Sequence, residues 1–398
     1  MIEIKEKEKC CGCTACYSVC PKGAIQMEAD VEGFKYPVIN KDICIDCGLC
    51  EKVCPIINKK TPQNDQPLRA YVVRNSDNDA LKNSASGGFF SAIAEYVISM
   101  NGFVFGAIYD EKWRIYHWGT NKLEGIKRFR SSKYVQSDMG KVFVEIRELL
   151  DLDRLVCFSG TPCQVEGLKR FLRKDYDSLI TVDLICHGVP SPMLWDKYIT
   201  MQKKRYKSRI IAINFRSKDY GYHNSTLKVS FENRKTHHGS SRNDAMMRCF
   251  FGEIASRPSC YNCAFKQARH ESDFTIFDAW HGAELVGNVD DEKGYSHLFV
   301  QSKKGQDLLD KLLNRIMVVE VEAEKAIELD GPMVRHSAKP HKNRYCFLKE
   351  VNVSGIDKAV KKYIPISKKD KLLVSTKGIL YKLGILGKIQ RLAKQLHI

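Results

Sequence analysis

The feature that most constrains this chain is a run of cysteines that occurs twice near its amino end. The two copies of Cys-x2-Cys-x2-Cys-x3-Cys-Pro comprise Cys10, Cys13, Cys16, Cys20 with Pro21, and Cys44, Cys47, Cys50, Cys54 with Pro55. Three closely spaced thiolates on a tight loop can hold three irons of a cubane, while the fourth cysteine ligates a second cluster. Zinc also takes four thiolates. Two complete copies ending in proline nevertheless favour two 4Fe-4S clusters.

The fourth cysteine of each run sets the pairing. One cluster is assigned to Cys10, Cys13, Cys16 and Cys54, and the other to Cys44, Cys47, Cys50 and Cys20. Cys11 is left without a cluster. Between the quartets, residues 24–28 and 34–39 predict a short hairpin around Gly33. Residues 1–57 are therefore expected to form an α+β, ferredoxin-like module of the bacterial type, which handles single electrons.

The apolar runs, the cysteine count and the net charge indicate the cellular compartment and the kind of partner to expect. No run of about 18 apolar residues is present, and residues 1–9 lack an apolar signal-peptide core. A cytoplasmic protein that uses its 16 cysteines for metal or redox chemistry is therefore expected. The formal net charge of +17 would attract polyanions. Cluster thiolates lower that charge, and no recognised nucleic-acid-binding motif accompanies it, so nucleic acid is not expected as a partner.

The pattern changes beyond a polar, proline-bearing linker at residues 58–67. Strands alternating with helices predict a larger, mixed α/β domain over residues 68–350. Strands are expected at 70–73, 103–109, 113–118, 155–158 and 179–185, and helices from Gly88 to Met100 and over 141–150. Neither G-x-G-x-x-G after a strand nor a P-loop occurs, which leaves nicotinamide binding and nucleotide hydrolysis without support.

Four cysteines of this domain stand where a further cluster could be held. Cys163 follows a Gly-Thr-Pro turn, Cys186 ends a predicted strand, and Cys260 and Cys263 form a Cys-x2-Cys pair. Together they would complete one more cluster, although buried free cysteines are common and inert. Three others, in apolar or helical surroundings, are expected to be core cysteines: Cys157, Cys249 and Cys346.

Six motifs occur in the order of one family: Ser86-Gly-Gly88, Ser132-Lys-Tyr-Val135, Ser159-Gly-Thr-Pro-Cys-Gln164, Cys186-His-Gly188, Cys260-Tyr-Asn-Cys263 and Asp273-Phe-Thr-Ile-Phe-Asp-Ala-Trp280. On these motifs the chain resembles the family of coenzyme F420 hydrogenase/dehydrogenase beta subunits over roughly residues 1–350. The resemblance implies a flavin-binding domain with bound FAD, whose two halves meet near residues 150–155. It also implies a third 4Fe-4S cluster held by Cys163, Cys186, Cys260 and Cys263.

The same resemblance implies a set of flavin contacts. The candidates are Ser86, Gly87, Gly88, Lys133, Tyr134, Thr161 and Gln164. Each also has an ordinary alternative, such as a helix cap for the Ser86-Gly-Gly88 turn, a core position for Tyr134 or a solvated charge for Lys133. Two positions depart from the family, because Phe277 and His281 stand where glycine is common. No catalytic role is therefore carried over to Asp278.

His187, beside the candidate ligand Cys186, is the catalytic candidate. It could relay a proton to the flavin or the substrate, since histidine titrates near neutral pH. Alternatively, its hydrogen bonds order the Cys186 turn.

Two functions are compatible with these cofactors. The first is a flavin-dependent iron-sulfur oxidoreductase. It passes electrons from ferredoxin or another redox protein through the clusters to FAD and an unknown organic substrate, within polysaccharide biosynthesis. The alternative is an electron-transfer beta subunit of a hydrogenase or dehydrogenase complex that reduces or oxidises a deazaflavin coenzyme.

The carboxyl-terminal tail, residues 351–398, is basic and amphipathic from residue 371 onward. Such a stretch could lie on the inner face of an anionic membrane or dock to a partner. Packing against its own domain is the alternative.

Overall fold

The computed structural model describes residues 1–59, 67–387 and 389. The predicted linker at residues 58–67 lies largely outside this described part, as does the end of the predicted tail. None of the helices within the described residues is long and apolar enough to cross a lipid bilayer.

The amino-terminal module contains one hairpin and two short helices. Its elements are α1 (Ala15–Val19), β1 (Ile25–Ala29), β2 (Lys35–Ile39) and α2 (Leu49–Lys52). The two strands pair antiparallel, and Gly33 stands between them at φ +83°, which confirms the predicted hairpin. Each helix follows a residue in the left-handed region, Thr14 at φ 68° and Gly48 at φ 69°. These residues turn the chain within each cysteine run, directly before the short helix that carries the third cysteine of the run.

The larger domain is a mixed α/β structure, as predicted. Its strands are β3 (Arg69–Asn75), β4 (Phe103–Tyr109), β5 (Ile115–Thr120), β6 (Val156–Ser159), β7 (Leu179–Leu184), β8 (Ile210–Ser217), β9 (Thr226–Phe231), β10 (Thr236–Gly239), β11 (Phe274–Ala279), β12 (Tyr295–Val300) and β13 (Ile316–Val321). The strands predicted from sequence correspond to β3 to β7, with ends that differ by a few residues.

Helices cover the sheet and extend the chain beyond it. They are α3 (Asn78–Asn83), α4 (Phe89–Ser99), α5 (Leu123–Phe129), α6 (Val142–Asp151), α7 (Pro162–Leu172), α8 (Pro192–Tyr206), α9 (Ala245–Phe251), α10 (Gly282–Leu285), α11 (Lys303–Lys311), α12 (Ala323–Asp330), α13 (Pro332–Arg335), α14 (Arg344–Ser354), α15 (Ile356–Tyr363) and α16 (Lys368–Lys382). The two predicted helices correspond to α4 and α6. Short 3-10 helices lie at Lys7–Lys9, Tyr222–Asn224 and Pro258–Asn262.

Within the described residues, eight strands form the main sheet in the order β13-β3-β12-β11-β7-β6-β4-β5. The central strands β4, β6, β7 and β11 are parallel, and antiparallel strands flank them on both sides. The strands of this sheet come from both sides of residues 150–155. The carboxyl ends of β6, β7 and β11 meet at one edge of the sheet, where α/β proteins usually bind their ligands.

A second, antiparallel sheet of β8, β9 and β10 packs with α8, α9, α14 and α15 around a separate apolar core. Cys249 is fully buried in this core, and Cys157 is fully buried in the main core beside β4 and β7. Both core predictions are confirmed. The prediction for Cys346 is wrong, because α14 turns this side chain to the exposed surface.

The module packs closely on the larger domain. Arg344 donates two hydrogen bonds, of 3.0 and 2.6 Å, to the carboxylate of Glu32 at the hairpin turn. The hydroxyl of Ser191 donates a short hydrogen bond to the carbonyl oxygen of Glu32. At the adjacent Gly33, an added Cβ would lie 2.4 Å from the Cβ of Met193. The hairpin turn therefore fits against α8 without space for a side chain at residue 33.

Candidate functional site

The first predicted quartet lies around one small cavity in the module. Cys10, Cys13, Cys16 and Cys54 all line it. Burial, followed by the nearby sulfurs of Cys10 and Cys54, raises the pKa of the Cys16 thiol to about 12. The four thiols share this one cavity, and irons bound there would displace their protons.

The second quartet lies around another cavity of the module, lined by Cys20, Cys44, Cys47 and Cys50. Backbone N–H groups point at two of the sulfurs. Ala24 donates to the Sγ of Cys20 at 3.2 Å, and Ile2 donates to the Sγ of Cys50 at 3.3 Å. N–H donors toward sulfur are the usual surroundings of cluster thiolates. In both cavities, the fourth cysteine of one run joins three cysteines of the other, as the sequence pairing predicts.

The third quartet comes together only in the folded domain. A cavity of about 320 Å³ is lined by Cys163, Cys186, Cys260 and Cys263. Cys163 stands in the first turn of α7, Cys186 follows β7, and the other two belong to the turn at Pro258–Asn262 and the residue after it. Burial, then the neighbouring Cys163, raises the pKa of Cys186 to about 12. Four converging thiols on separate loops have the donor chemistry of a cysteine-ligated cluster.

Cys11, which the sequence pairing leaves over, also lines this third cavity. Cys11 lines the cavity of the first quartet as well. Its carbonyl oxygen accepts a hydrogen bond from the amide of Gln136 at 3.3 Å. Cys11 therefore stands between the first quartet of the module and the quartet of the larger domain.

Two of the predicted flavin contacts lie at the cavity of the third quartet. Thr161 and Gln164 form a capping box at the start of α7, with the Thr161 N–H donating to the Gln164 Oε1 at 2.9 Å. The hydroxyl of Thr161 lies 3.1 Å from the Sγ of Cys163. The box holds α7 in place. These two residues thus order the Cys163 turn.

The Ser86-Gly87-Gly88 turn lies elsewhere, against β12. The N–H of Gly87 donates to the hydroxyl of Ser296 at 2.9 Å, and a Cβ at Gly87 would lie 2.4 Å from the carbonyl oxygen of Val73. Close packing of backbones therefore requires glycine at this position. The ammonium of Lys218 donates to the carbonyl oxygen of Ser86 at 2.8 Å.

Lys133 and Tyr134 are both largely enclosed. The Lys133 ammonium donates to three carbonyl oxygens, those of Phe129, Arg130 and Ser131. Burial lowers its pKa to about 7. The ring of Tyr134 stacks on Phe250 with centroids 4.1 Å apart.

Arg216 of β8 is a residue that the sequence motifs missed, and it connects several of them. Its Nη1 donates to Asp278 at 2.5 Å and to the Tyr134 hydroxyl at 3.2 Å. Its guanidinium lies 4.8 Å from the ring of Trp280. Arg216 is 5% exposed, and its Nη2 has no hydrogen-bond partner among the described residues. A charged residue near the end of a mainly apolar strand was the available signal.

The catalytic candidate His187 does not line the cavity of the third quartet. Its Nε2 contacts the carboxylate of Glu253, and its ring packs on Phe250 at 4.9 Å between centroids. These contacts give the alternative role, ordering the Cys186 turn, a physical basis.

Two family models match separate parts of the chain. Residues 9–56 match the 4Fe-4S dicluster domain. Residues 153–326 match the family that describes the carboxyl-terminal part of coenzyme F420 hydrogenase/dehydrogenase beta subunits. The fold and the cysteine sites are those of an iron-sulfur electron-transfer protein. Residues 153–326 therefore form a domain of the coenzyme F420 hydrogenase/dehydrogenase beta-subunit family, and residues 9–56 form a 4Fe-4S dicluster domain.

Its relatives include archaeal proteins. An uncharacterised protein of Methanocaldococcus jannaschii is 24% identical over 84% of this chain and 96% of its own length. One of the subunits of the F(420)H(2) dehydrogenase of Methanosarcina mazei is 21% identical over 85% of this chain and 91% of its own length. The coenzyme F420-dependent sulfite reductase of M. jannaschii is 22% identical over 82% of this chain, which spans only 50% of that protein.

These matches correct the first functional prediction. An FAD-dependent reductase of an organic substrate in polysaccharide biosynthesis is contradicted, because the family and two of these relatives are named for coenzyme F420. FAD as a cofactor is likewise not supported. The motifs identify the scaffold, whereas coenzyme choice depends on side chains that meet only in the folded protein. An oxidoreductase with 4Fe-4S clusters is supported.

Helix α16 of the tail packs against the small sheet of β8, β9 and β10. Tyr381 contacts the rings of Tyr220 and His238, at 4.9 and 5.6 Å between centroids, and Asp370 pairs with Arg242 at 3.2 Å. Several apolar side chains of α16 nevertheless face outward, including Leu372 and Ile379. The membrane and partner predictions for the tail are not tested by these contacts, and residues 388 and 390–398 lie outside the described part.

Proposed function

We propose that this chain is an electron-transfer subunit of a redox complex that exchanges electrons between iron-sulfur clusters and the deazaflavin coenzyme F420. The proposal rests on the three cysteine quartets, two in the module and one at the carboxyl ends of the sheet strands. Clusters bound there would supply one-electron steps. F420 is chosen as the coenzyme in this proposal because two relatives are named for it.

The chain's own residues order this path. Cys11 lines the cavities of both the first and the third quartet, and α7, which carries Cys163, lies against Cys13 of the module at Gly167. Electrons would therefore cross from module to domain through protein atoms.

The coenzyme is placed near Arg216 in this proposal. Arg216, Trp280 and Tyr134 combine a buried cation with aromatic rings, and Lys218 joins this group to the Ser86 turn. Aromatic faces suit a planar conjugated ring, and the free Nη2 of Arg216 suits an anionic group of a coenzyme. These contacts support a coenzyme site at the carboxyl end of β11.

The proposal is tested by iron content and by reduction of F420. After anaerobic reconstitution, the wild-type chain is expected to hold about twelve irons, four for each cluster. Cys163→Ala should lower this to about eight, whereas Cys11→Ala, which changes a cysteine of the same cavity, should keep about twelve. About eight irons per chain in the wild type would show that no third cluster is bound.

The second part of the test uses the fully loaded protein. Dithionite-reduced protein, freed of excess dithionite, is mixed with oxidised F420, and the loss of the coenzyme's visible absorption is followed. Two electrons, one from each of two reduced clusters, and two protons are expected to convert each F420 to F420H2, and the reaction should be slowed in Cys163→Ala. Full iron content without any F420 reduction would overturn the proposed function.

A further inference from the structure

Arg257 lies fully buried at the junction between the module and the larger domain. It directly precedes the Pro258–Asn262 turn that carries Cys260. Its guanidinium reaches into the module, where its Nε donates to the carbonyl oxygen of Cys10 at 2.7 Å and its Nη2 to that of Lys35 at 3.0 Å. Its Nη2 also lies 3.5 Å from the Sγ of Cys10, a ligand of the first predicted cluster.

Within the described part of the chain, no carboxylate oxygen lies within 4.0 Å of this guanidinium to neutralise it. Its other contacts are the Gln136 Oε1 at 3.0 Å and the ring of Tyr36 at 4.3 Å. Burying a cation without an anion is costly. Arginine cannot relieve that cost by losing its proton, because it stays charged at any ordinary pH.

Arg344 offers a direct contrast at the same junction. It is also largely buried and also links the module to the larger domain, but its charge is balanced by the carboxylate of Glu32. A structural link between the two parts can therefore be made with a balanced ion pair. Arg257 makes its link with an unbalanced charge directed at a cysteine sulfur.

We propose that Arg257 is the counter-charge of the cluster held by Cys10, Cys13, Cys16 and Cys54, and that it makes this cluster easier to reduce. The proposal rests on the ligand set of the proposed function. A 4Fe-4S core with four thiolates carries about two negative charges when oxidised, and one more after it takes up one electron. A fixed positive charge and an N–H donor at the ligand sulfur both stabilise the more negative form.

Gly12 shows how closely the ligand loop fits this side chain. A Cβ at Gly12 would lie 2.8 Å from the Nη1 of Arg257 and 2.7 Å from the Nε2 of Gln136. Gly12 also has φ +71°, where glycine is favoured. The loop that carries Cys10 and Cys13 therefore rests directly on the guanidinium, which places the charge at the ligand loop itself.

The test measures the reduction potential of each cluster in the fully reconstituted protein, by redox titration followed with electron paramagnetic resonance. Two neutral variants, Arg257→Gln and Arg257→Met, should make one cluster harder to reduce by about tenfold in the equilibrium constant, which is 59 mV for one electron. Arg257→Met retains much of the unbranched apolar part of the side chain and removes an unbalanced buried charge, so it keeps the test available if Arg257→Gln folds poorly. Arg257→Lys, which keeps a cation, should retain most of the wild-type potential.

The matched control is the double variant Glu32→Gln/Arg344→Gln. It removes a buried guanidinium from the same junction without changing the net charge, so the potentials of all three clusters should stay at their wild-type values. Iron content is measured in every variant. Unchanged potentials in a fully loaded neutral variant would overturn the role of Arg257 and leave the proposed function standing. A module without clusters in the wild type would overturn both.

Discussion

Gly167, in the middle of α7, lies so close to Cys13 that a Cβ at residue 167 would be 2.7 Å from the Cys13 Cβ and 2.9 Å from its sulfur. Glycine within a helix costs about 0.5–1 kcal/mol relative to alanine. This position keeps glycine because the cysteine loop of the module occupies the space that a side chain would need.

Gly167→Ala is therefore expected to destabilise the protein by about 1–3 kcal/mol, the usual range for overpacking, despite the better helix propensity of alanine. The melting temperature and the rate of proteolysis between module and domain measure the effect. The control is Gly378→Ala in α16, where an added Cβ would approach only the Tyr220 hydroxyl at 3.8 Å. Equal melting temperatures for the two variants would show that the module does not rest on α7.

Arg216→Gln tests the proposed coenzyme site. Removing the charge beside Trp280 and Tyr134 should weaken F420 binding by about tenfold, or 1.4 kcal/mol. The dissociation constant is measured by fluorescence titration of F420 with the reconstituted protein. As the control, Arg209→Gln removes a neighbouring arginine whose side chain is 79% exposed and pairs with Glu232. If both variants bind F420 as the wild type does, the site lies elsewhere.

The buried His117 is expected to make the free energy of unfolding depend on pH. Its Nε2 lies 3.0 Å from the carbonyl oxygen of Ser159, and burial lowers its pKa to about 4 from an ordinary 6.5. Between these values the unfolded chain binds a proton that the folded chain does not, so stability falls as pH falls from 6.5 to 4. The loss from this residue amounts to about 3 kcal/mol at most.

His117→Gln removes this titration. The variant should lose less melting temperature than the wild type as the pH is lowered through that window, and the difference between the two should be constant above about pH 7. Parallel pH profiles of the two proteins would mean that His117 is solvated or paired when protonated.

Much of the fold followed from local patterns. The hairpin around Gly33 and the strands β3 to β7 were predictable, because alternating and continuous apolar runs report which faces become buried. Cys346 was misplaced for a related reason. A cysteine in a helical pattern can face either the core or the solvent, and only the packing of α14 decided that it faces outward.

The candidate site also contains some residues that local patterns predicted and others that only the packing of distant segments brought together. The family resemblance implies a single group of flavin contacts. In the structure, Thr161 and Gln164 lie at a cysteine cavity, whereas the Ser86 turn packs on β12. Arg216 unites Tyr134 and the Asp278 segment over sequence separations of 82 and 62 residues. No spacing rule covers contacts of that kind.

The sequence by itself indicated the two cysteine quartets of the module and their crossed pairing, because in this motif three ligands of each cubane come from one short loop and the fourth from the other run. The third quartet, Cys163, Cys186, Cys260 and Cys263, was already implied by the family resemblance. Tertiary structure alone placed Cys11 between two quartets and turned Arg257 toward Cys10. These contacts depend on parallel strands that end at one sheet edge and on the module that docks there, both of which arise only when distant segments pack.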